Sequence, residues 1–109
     1  MSVDARIKSA VDSFGLPVEN GVYHGQAEEY LVFNYFTLPR TFGDDEPEHE
    51  EYFIQLHYFA PLGKNILEMK RQIKRAIVEA EFSYPSTVDA SDSEARHIVF
   101  EFKTIEGAD

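Results

Sequence analysis

Apolar positions recur at two different periods along this chain. Val3, Ile7, Ala10, Val11 and Phe14 lie three or four residues apart. That spacing gathers side chains into one stripe and predicts a helix over 2–14. Ser2 is placed to cap its start and Asp4 to sit in its first turn, while Gly15 and Pro17 stop it. A second such stripe, Ile66, Met69, Ile73, Ile77 and Ala80, runs through "PLGKNILEMKRQIKRAIVEAEF", where Asn65 followed by Glu68 resembles a capping box. Elsewhere the period is two. "EEYLVFNYFTL" (28–38), "EYFIQLHYFA" (51–60) and "ARHIVFEFKTI" (95–105) read as long strands, with short extended pieces near 18–23 and 87–90.

The strands differ in how plainly they show an inner face. In 51–60, Tyr52, Ile54, Leu56, Tyr58 and Ala60 oppose the mixed set Phe53, Gln55, His57 and Phe59. In 95–105, Ile98, Phe100 and Phe102 point inward, and His97, Val99, Glu101 and Lys103 point away. The strand 28–38 is apolar on both sides, with Tyr30, Val32 and Phe36 on one and Leu31, Phe33 and Tyr35 on the other. Strands in succession favour antiparallel pairing. The expected fold is α+β, a mostly antiparallel sheet of four to five strands with two helices packed on one face, in a single domain over 1–109. Residues 105–109, "IEGAD", read as a loose tail.

Composition changes this picture in three places. A hydrophobic share of 43% with 14% aromatics supports a real core. No cysteine is present, which excludes disulfides, thiolate metal sites and cysteine nucleophiles. The net charge of −10 is opposite to that of a nucleic-acid reader, so an RNA-binding module is disfavoured. The charge is also polarised. Lys64, Lys70, Arg71, Lys74 and Arg75, against Glu68 and Glu79, give the segment 64–79 a charge of +3 and leave −13 for the remainder. The first residues carry Asp4, Arg6, Lys8 and Asp12 where a secretory leader has an apolar centre, so the protein is expected to stay inside the cell that makes it.

Candidate chemistry concentrates in "GDDEPEHEEYFIQL", residues 43–56, where Asp44, Asp45, Glu46, Glu48, Glu50 and Glu51 surround His49. His49 and Glu51 share a strand face and both could reach one ion, yet the segment lacks a second histidine and the regular oxygen spacing of a calcium loop. A small metal-dependent hydrolase is therefore a rival reading, and a solvated acidic loop the plainer one. His57 and His97 become neighbours if their strands pair. Serine-nucleophile and phosphate-loop motifs are absent. The expectation is a protein that is not an enzyme, with no cofactor and no metal.

Two features go beyond a plain domain. The connection from Pro39 to Glu50 is long for a hairpin. The sheet also holds more apolar surface than two helices cover, and Phe33, Tyr35, Phe53, Phe59 and Val99 are expected on the face away from them, as an interface.

The phrases "YLVFNY", "IQLHYFAPLGKN" and "ARHIVFEFK", in this order and spacing, resemble the tail-completion proteins of long-tailed phages and prophages, also called tail terminator or tail-to-head joining proteins. That resemblance implies a ring, commonly a hexamer, that caps the tail tube and meets the head connector. Its partners are further copies of the chain, the tail-tube protein and a head connector or head-completion protein. DNA passes without specific binding, and no membrane is involved. The location implied is the virion tail, with assembly in the bacterial host cytoplasm. Another head-completion or minor tail protein is the alternative. On this view Lys70, Arg71, Lys74 and Arg75 meet an acidic patch of the next copy, and the acidic arm points to the lumen or a partner.

Overall fold

Ser2 caps the first helix as its position suggests, its Oγ accepting the Ala5 N–H at 3.1 Å. The computed structural model describes residues 1–40 and 49–107. Helix α1 spans Val3–Val11, and a single 3₁₀ turn, Asp12–Phe14, follows it. Gly15 ends that turn at φ 68°, the left-handed region where a Cβ would be strained. Strands β1 (Val18–Asn20), β2 (Tyr30–Arg40) and β3 (His49–Ala60) come next. Helix α2 (Leu67–Glu79), β4 (Ser86–Asp89) and β5 (Arg96–Gly107) complete the chain. Asn65 caps α2 by accepting the Leu67 N–H at 3.1 Å, but Glu68 accepts from Gln72 instead of closing a capping box.

The five strands form one sheet in the order β1-β2-β3-β5-β4, antiparallel except for the parallel pair β1–β2. This is the α+β architecture that the periodicity predicts. Both helices cover the same face. Val3, Ile7 and Val11 of α1 and Ile73 and Ile77 of α2 share one core with Leu31, Phe33, Ile54, Leu56, Tyr58, Ala60, Ile98, Phe100 and Phe102. Burying such side chains contributes on the order of 1.5–3 kcal/mol each, and this layer is the main source of the fold's stability.

Two boundaries differ from expectation. The β2–β3 ladder runs to Arg40↔His49, so Pro39, Arg40, His49 and Glu50 belong to strands and not to a loop. The β3–β5 ladder likewise runs to His49↔Gly107, which takes Ile105, Glu106 and Gly107 out of the expected loose tail. Beyond β1 and β4, the strands β2, β3 and β5 continue as a three-stranded blade. The molecule measures 53 × 25 × 25 Å, and its radius of gyration of 15.1 Å exceeds the roughly 13 Å usual for this length.

Phe33 and Tyr35 also lie opposite to expectation. Their register partners are Leu56 and Ile54, which places them on the helix side. Phe33 is fully buried, and Tyr35 packs against the core. The Tyr35 hydroxyl donates to Asp4 Oδ1 at 2.5 Å, and Asn20 Nδ2 donates to Oδ2 at 2.9 Å, tying β2 and β1 to the start of α1. The Tyr35 bond, followed by that from Asn20, holds the Asp4 carboxyl below its ordinary range. In return the Asp4 carboxylate pushes Tyr35 up to about 12. A depressed carboxylate stabilises the fold above its unfolded value and loses that contribution as pH falls through the folded one. Tyr35→Phe should therefore cost about 1 kcal/mol near neutral pH and weaken the acid-side loss of stability. Thermal melts of both proteins from about pH 3 to about pH 6 check this.

Candidate functional site

The face of the sheet turned away from the helices carries the unusual chemistry. Register places its residues in cross-strand rows. Tyr30, Phe59 and His97 form one row, and Val32, His57 and Val99 the next, joined by Val88 of β4. Asn34, Gln55 and Glu101 follow, then Phe36, Phe53 and Lys103, and finally Leu38, Glu51 and Ile105. Neither described helix covers this face. Phe36 is 61% exposed, Leu38 50%, Val88 49% and Ile105 44%. These large apolar side chains lie in one plane and on one side, an exposed patch of the kind that interfaces use.

The face divides into two aromatic regions around a polar middle. At one end Tyr23 stacks on Tyr30 (4.3 Å between centroids), Tyr30 on Phe59 (4.8 Å) and Phe59 on His97 (4.1 Å). At the other, on the blade, Phe36 stacks on Phe53 at 4.9 Å. Beside that pair lies a concavity of about 450 Å³ lined by Asn34, Gln55, Ser83, Glu101 and Lys103 together with the two rings. Gln55 Nε2 donates to Glu101 across its floor at 3.1 Å. Of the expected interface residues, Phe53 and Phe59 are here, while Phe33 and Tyr35 are on the other side. Tyr23, Tyr30, Phe36, Leu38, Val88 and Ile105 lie on this side of the sheet with them. Val99 lies on this face as expected, but its neighbours bury it.

His57 and His97 are brought together, as pairing of their strands requires. His57 Nδ1 and His97 Nε2 are 2.8 Å apart, and Asn34 Nδ2 lies 3.2 Å from His57 Nε2. Burial, then the neighbouring His97, lowers the pKa of His57 against a raising influence of Glu101. Burial also lowers His97, opposed by Asp92 and Asp89. A His whose folded pKa is depressed binds fewer protons in the native state, so its contribution falls as pH drops below the ordinary imidazole range. Among the described residues, the side chains bonded to or stacked on the pair are one amide and aromatic rings, with no hydroxyl nucleophile hydrogen-bonded to either imidazole. Nucleophile activation finds no geometry here.

The acidic stretch is only partly in view. Asp44, Asp45, Glu46 and Glu48 lie outside the described residues. Glu51 does not act as free negative charge: it pairs with Arg40 at 3.2 Å and with Lys103 at 3.7 Å, and its side chain is largely covered. Glu50 shares the helix side of β3 with Tyr52 and Ile54, so the two neighbours diverge. Among the described residues, no three His, Asp or Glu side chains are grouped closely enough to hold a metal ion. None of the described helices is long and apolar enough to cross a membrane.

Arg71 and Arg75 ride on the exposed outer side of α2, Lys74 is half-buried on its flank, and Lys70, three and seven residues before Ile73 and Ile77, is half-buried on their side, contrary to expectation. Arg71, Lys74 and Arg75 line a shallow hollow with the exposed Val78 and Tyr84. Among the described residues, none of these four bases lies within 4 Å of a carboxylate oxygen as an ion pair. Tyr84 and the acid Glu79 border Arg71, Lys74 and Arg75 in that hollow.

No protein-family model matches the chain. No curated protein matches it either. Solved structures do match. One superposes on 100% of this chain and 97% of its own with a TM-score of 0.63, at 11% sequence identity. At that identity the agreement is one of fold.

Proposed function

We propose that the protein is a structural, non-enzymatic subunit that associates with copies of itself into a ring at the joint between the tail tube and the head of a long-tailed phage or prophage. The observation that carries this reading is the uncovered aromatic face, with Phe36, Leu38, Val88 and Ile105 all exposed on one side of the sheet. It joins the likeness of "YLVFNY", "IQLHYFAPLGKN" and "ARHIVFEFK" to tail-completion proteins. A ring made from one repeated contact needs two different complementary surfaces. The apolar face is one candidate surface and the cationic side of α2 a second, on a chain whose remainder is strongly acidic. Apolar burial supplies the affinity, while exposed charge pairs add only about 0.2–1 kcal/mol each and fix orientation.

Electron microscopy of the protein mixed with tail tubes of its own phage tests the proposal directly. Tubes capped at one end are expected. Tubes that stay uncapped and keep growing, with the protein left free, would sink it. A finer prediction concerns the charge: Lys74→Glu with Arg75→Glu should weaken self-association most at low ionic strength, since Debye screening removes the effect in high salt. Sedimentation of the variant across a salt series reads this out, and an unchanged profile removes α2 from the contact.

A further inference from the structure

The hydrogen-bond chain Asn34–His57–His97 has a consequence for how the open face is regulated. It rests on the reading of that face as a self-association surface. With Asn34 donating to His57 Nε2, the remaining ring nitrogen of His57, Nδ1, carries the proton and donates it to His97 Nε2. One neutral arrangement therefore satisfies both contacts, and the acceptor lone pairs of both rings are occupied. An added proton on His57 Nε2 meets the Asn34 amide donor, so Asn34 must turn its carbonyl inward to keep the bond. An added proton on His97 Nε2 meets the His57 Nδ1–H, so His57 must shift its own proton to Nε2, again against the Asn34 amide, to accept it. Either change puts an imidazolium in the middle of the face, between the stack Tyr23–Tyr30–Phe59 and the polar middle row.

We propose that the His57–His97 pair gates this face by proton uptake: neutral, it is covered by a second copy, and charged, it releases that copy. Covering an imidazolium with the cationic side of a second copy's α2 removes its water, supplies no acceptor and sets like charge against it. The groups that face the pair set how strongly it resists charging. Glu101 of β5, Asp89 of β4 and Asp92 in the following turn favour the charged form. Burial of both rings, and for His57 the neighbouring imidazole, favour the neutral one. Free in water, the face has carboxylates to share the charge. Covered, it has the basic side of a second copy's α2 against it, so the proton and the partner compete.

Sedimentation velocity of the full chain at about pH 7.5 and about pH 5 brackets the imidazole range. The association constant should fall by about tenfold or more at the lower pH, the change that one linked pKa unit implies. The double variant His57→Gln, His97→Gln, checked for folding by near-ultraviolet circular dichroism, should associate equally at both. Nitrogen NMR of the dilute wild-type protein adds a local readout, which should show His57 protonated at Nδ1 near neutral pH. Association that is insensitive to pH, an equal pH response in the double variant, or His57 protonated at Nε2 would each overturn the gate while leaving self-association standing. A chain that stays monomeric at both values would overturn the gate and the self-association reading together.

Discussion

Phe33→Ala should lower the unfolding free energy by about 3–5 kcal/mol, the range for emptying a well-packed aromatic site. The loss should be seen in dilute monomer, with no partner present. Phe33 has 0% of its surface exposed and sits in the middle of the core, level with Leu56 on β3 and stacked on Tyr35 at 6.5 Å. The helices pack over it, so the cavity left by truncation has little freedom to collapse. The expectation from sequence differs, because Phe33 on the outer face would lose only association. Urea unfolding separates the two. A change below about 1 kcal/mol, accompanied by weaker self-association, would return Phe33 to the outer surface.

That reversal shows where the chain is legible from its pattern and where it is not. On β3 the polar residues Gln55 and His57 mark the outward side, and the structure agrees about every residue from Tyr52 to Ala60. On β5, Glu101 and Lys103 do the same. The strand β2 offers two apolar faces, and a period of two cannot choose between them. One signal is present all the same. Asn34 is the lone strongly polar side chain between Tyr30 and Phe36, and it shares its parity with Val32 and Phe36, not with Phe33 and Tyr35. Combined with the polar residues of the neighbouring strands, Asn34 assigns the outer face correctly.

The strand ends depart from expectation for another reason. Proline at 39 suggests a stop, yet β1 flanks only Leu31–Phe33, so the rest of β2 is an edge, where proline removes no bond that a further strand would accept. The segment Ile105–Gly107 looks like a tail because it has no inner face of its own. It is held by backbone pairing to His49, Glu50 and Glu51 of β3. Pairing partners distant in sequence are invisible to local pattern, and here they bring the two ends of an expected loop, Pro39–Arg40 and His49–Glu50, and the start of an expected tail, Ile105–Gly107, into one blade. The same blade neutralises Glu51, whose partners Arg40 and Lys103 come from the strands on either side. The stretch is therefore less acidic at its carboxyl end than a count of its residues implies. On the second helix, helical spacing alone sets Arg71 and Arg75 outward and Lys70 beside the buried stripe, so a count of bases overstates the exposed cationic side.

The largest functional effect is expected from Phe36→Lys combined with Phe53→Glu. The two rings are register partners stacked at 4.9 Å, and Lys103 is the next residue in the row. The replacements set a cation on β2, an anion on β3 and the native Lys103 on β5 side by side, an alternation of charge that supports pairing within the sheet. Neither ring belongs to the core, so the isolated chain should keep its stability to within about 1 kcal/mol. A partner that covered two aromatic anchors would instead meet a row of charges needing water. Aromatic anchors at the centre of an interface contribute about 2 kcal/mol or more each. Association should therefore fall about a hundredfold or more, and capping of tail tubes should disappear. Sedimentation velocity beside a urea melt makes the comparison. A variant as stable as the parent that still assembles would show that the blade end of the face lies outside the contact, and would confine any docking surface to the Tyr23–Tyr30–Phe59 stack and the imidazole pair beside it.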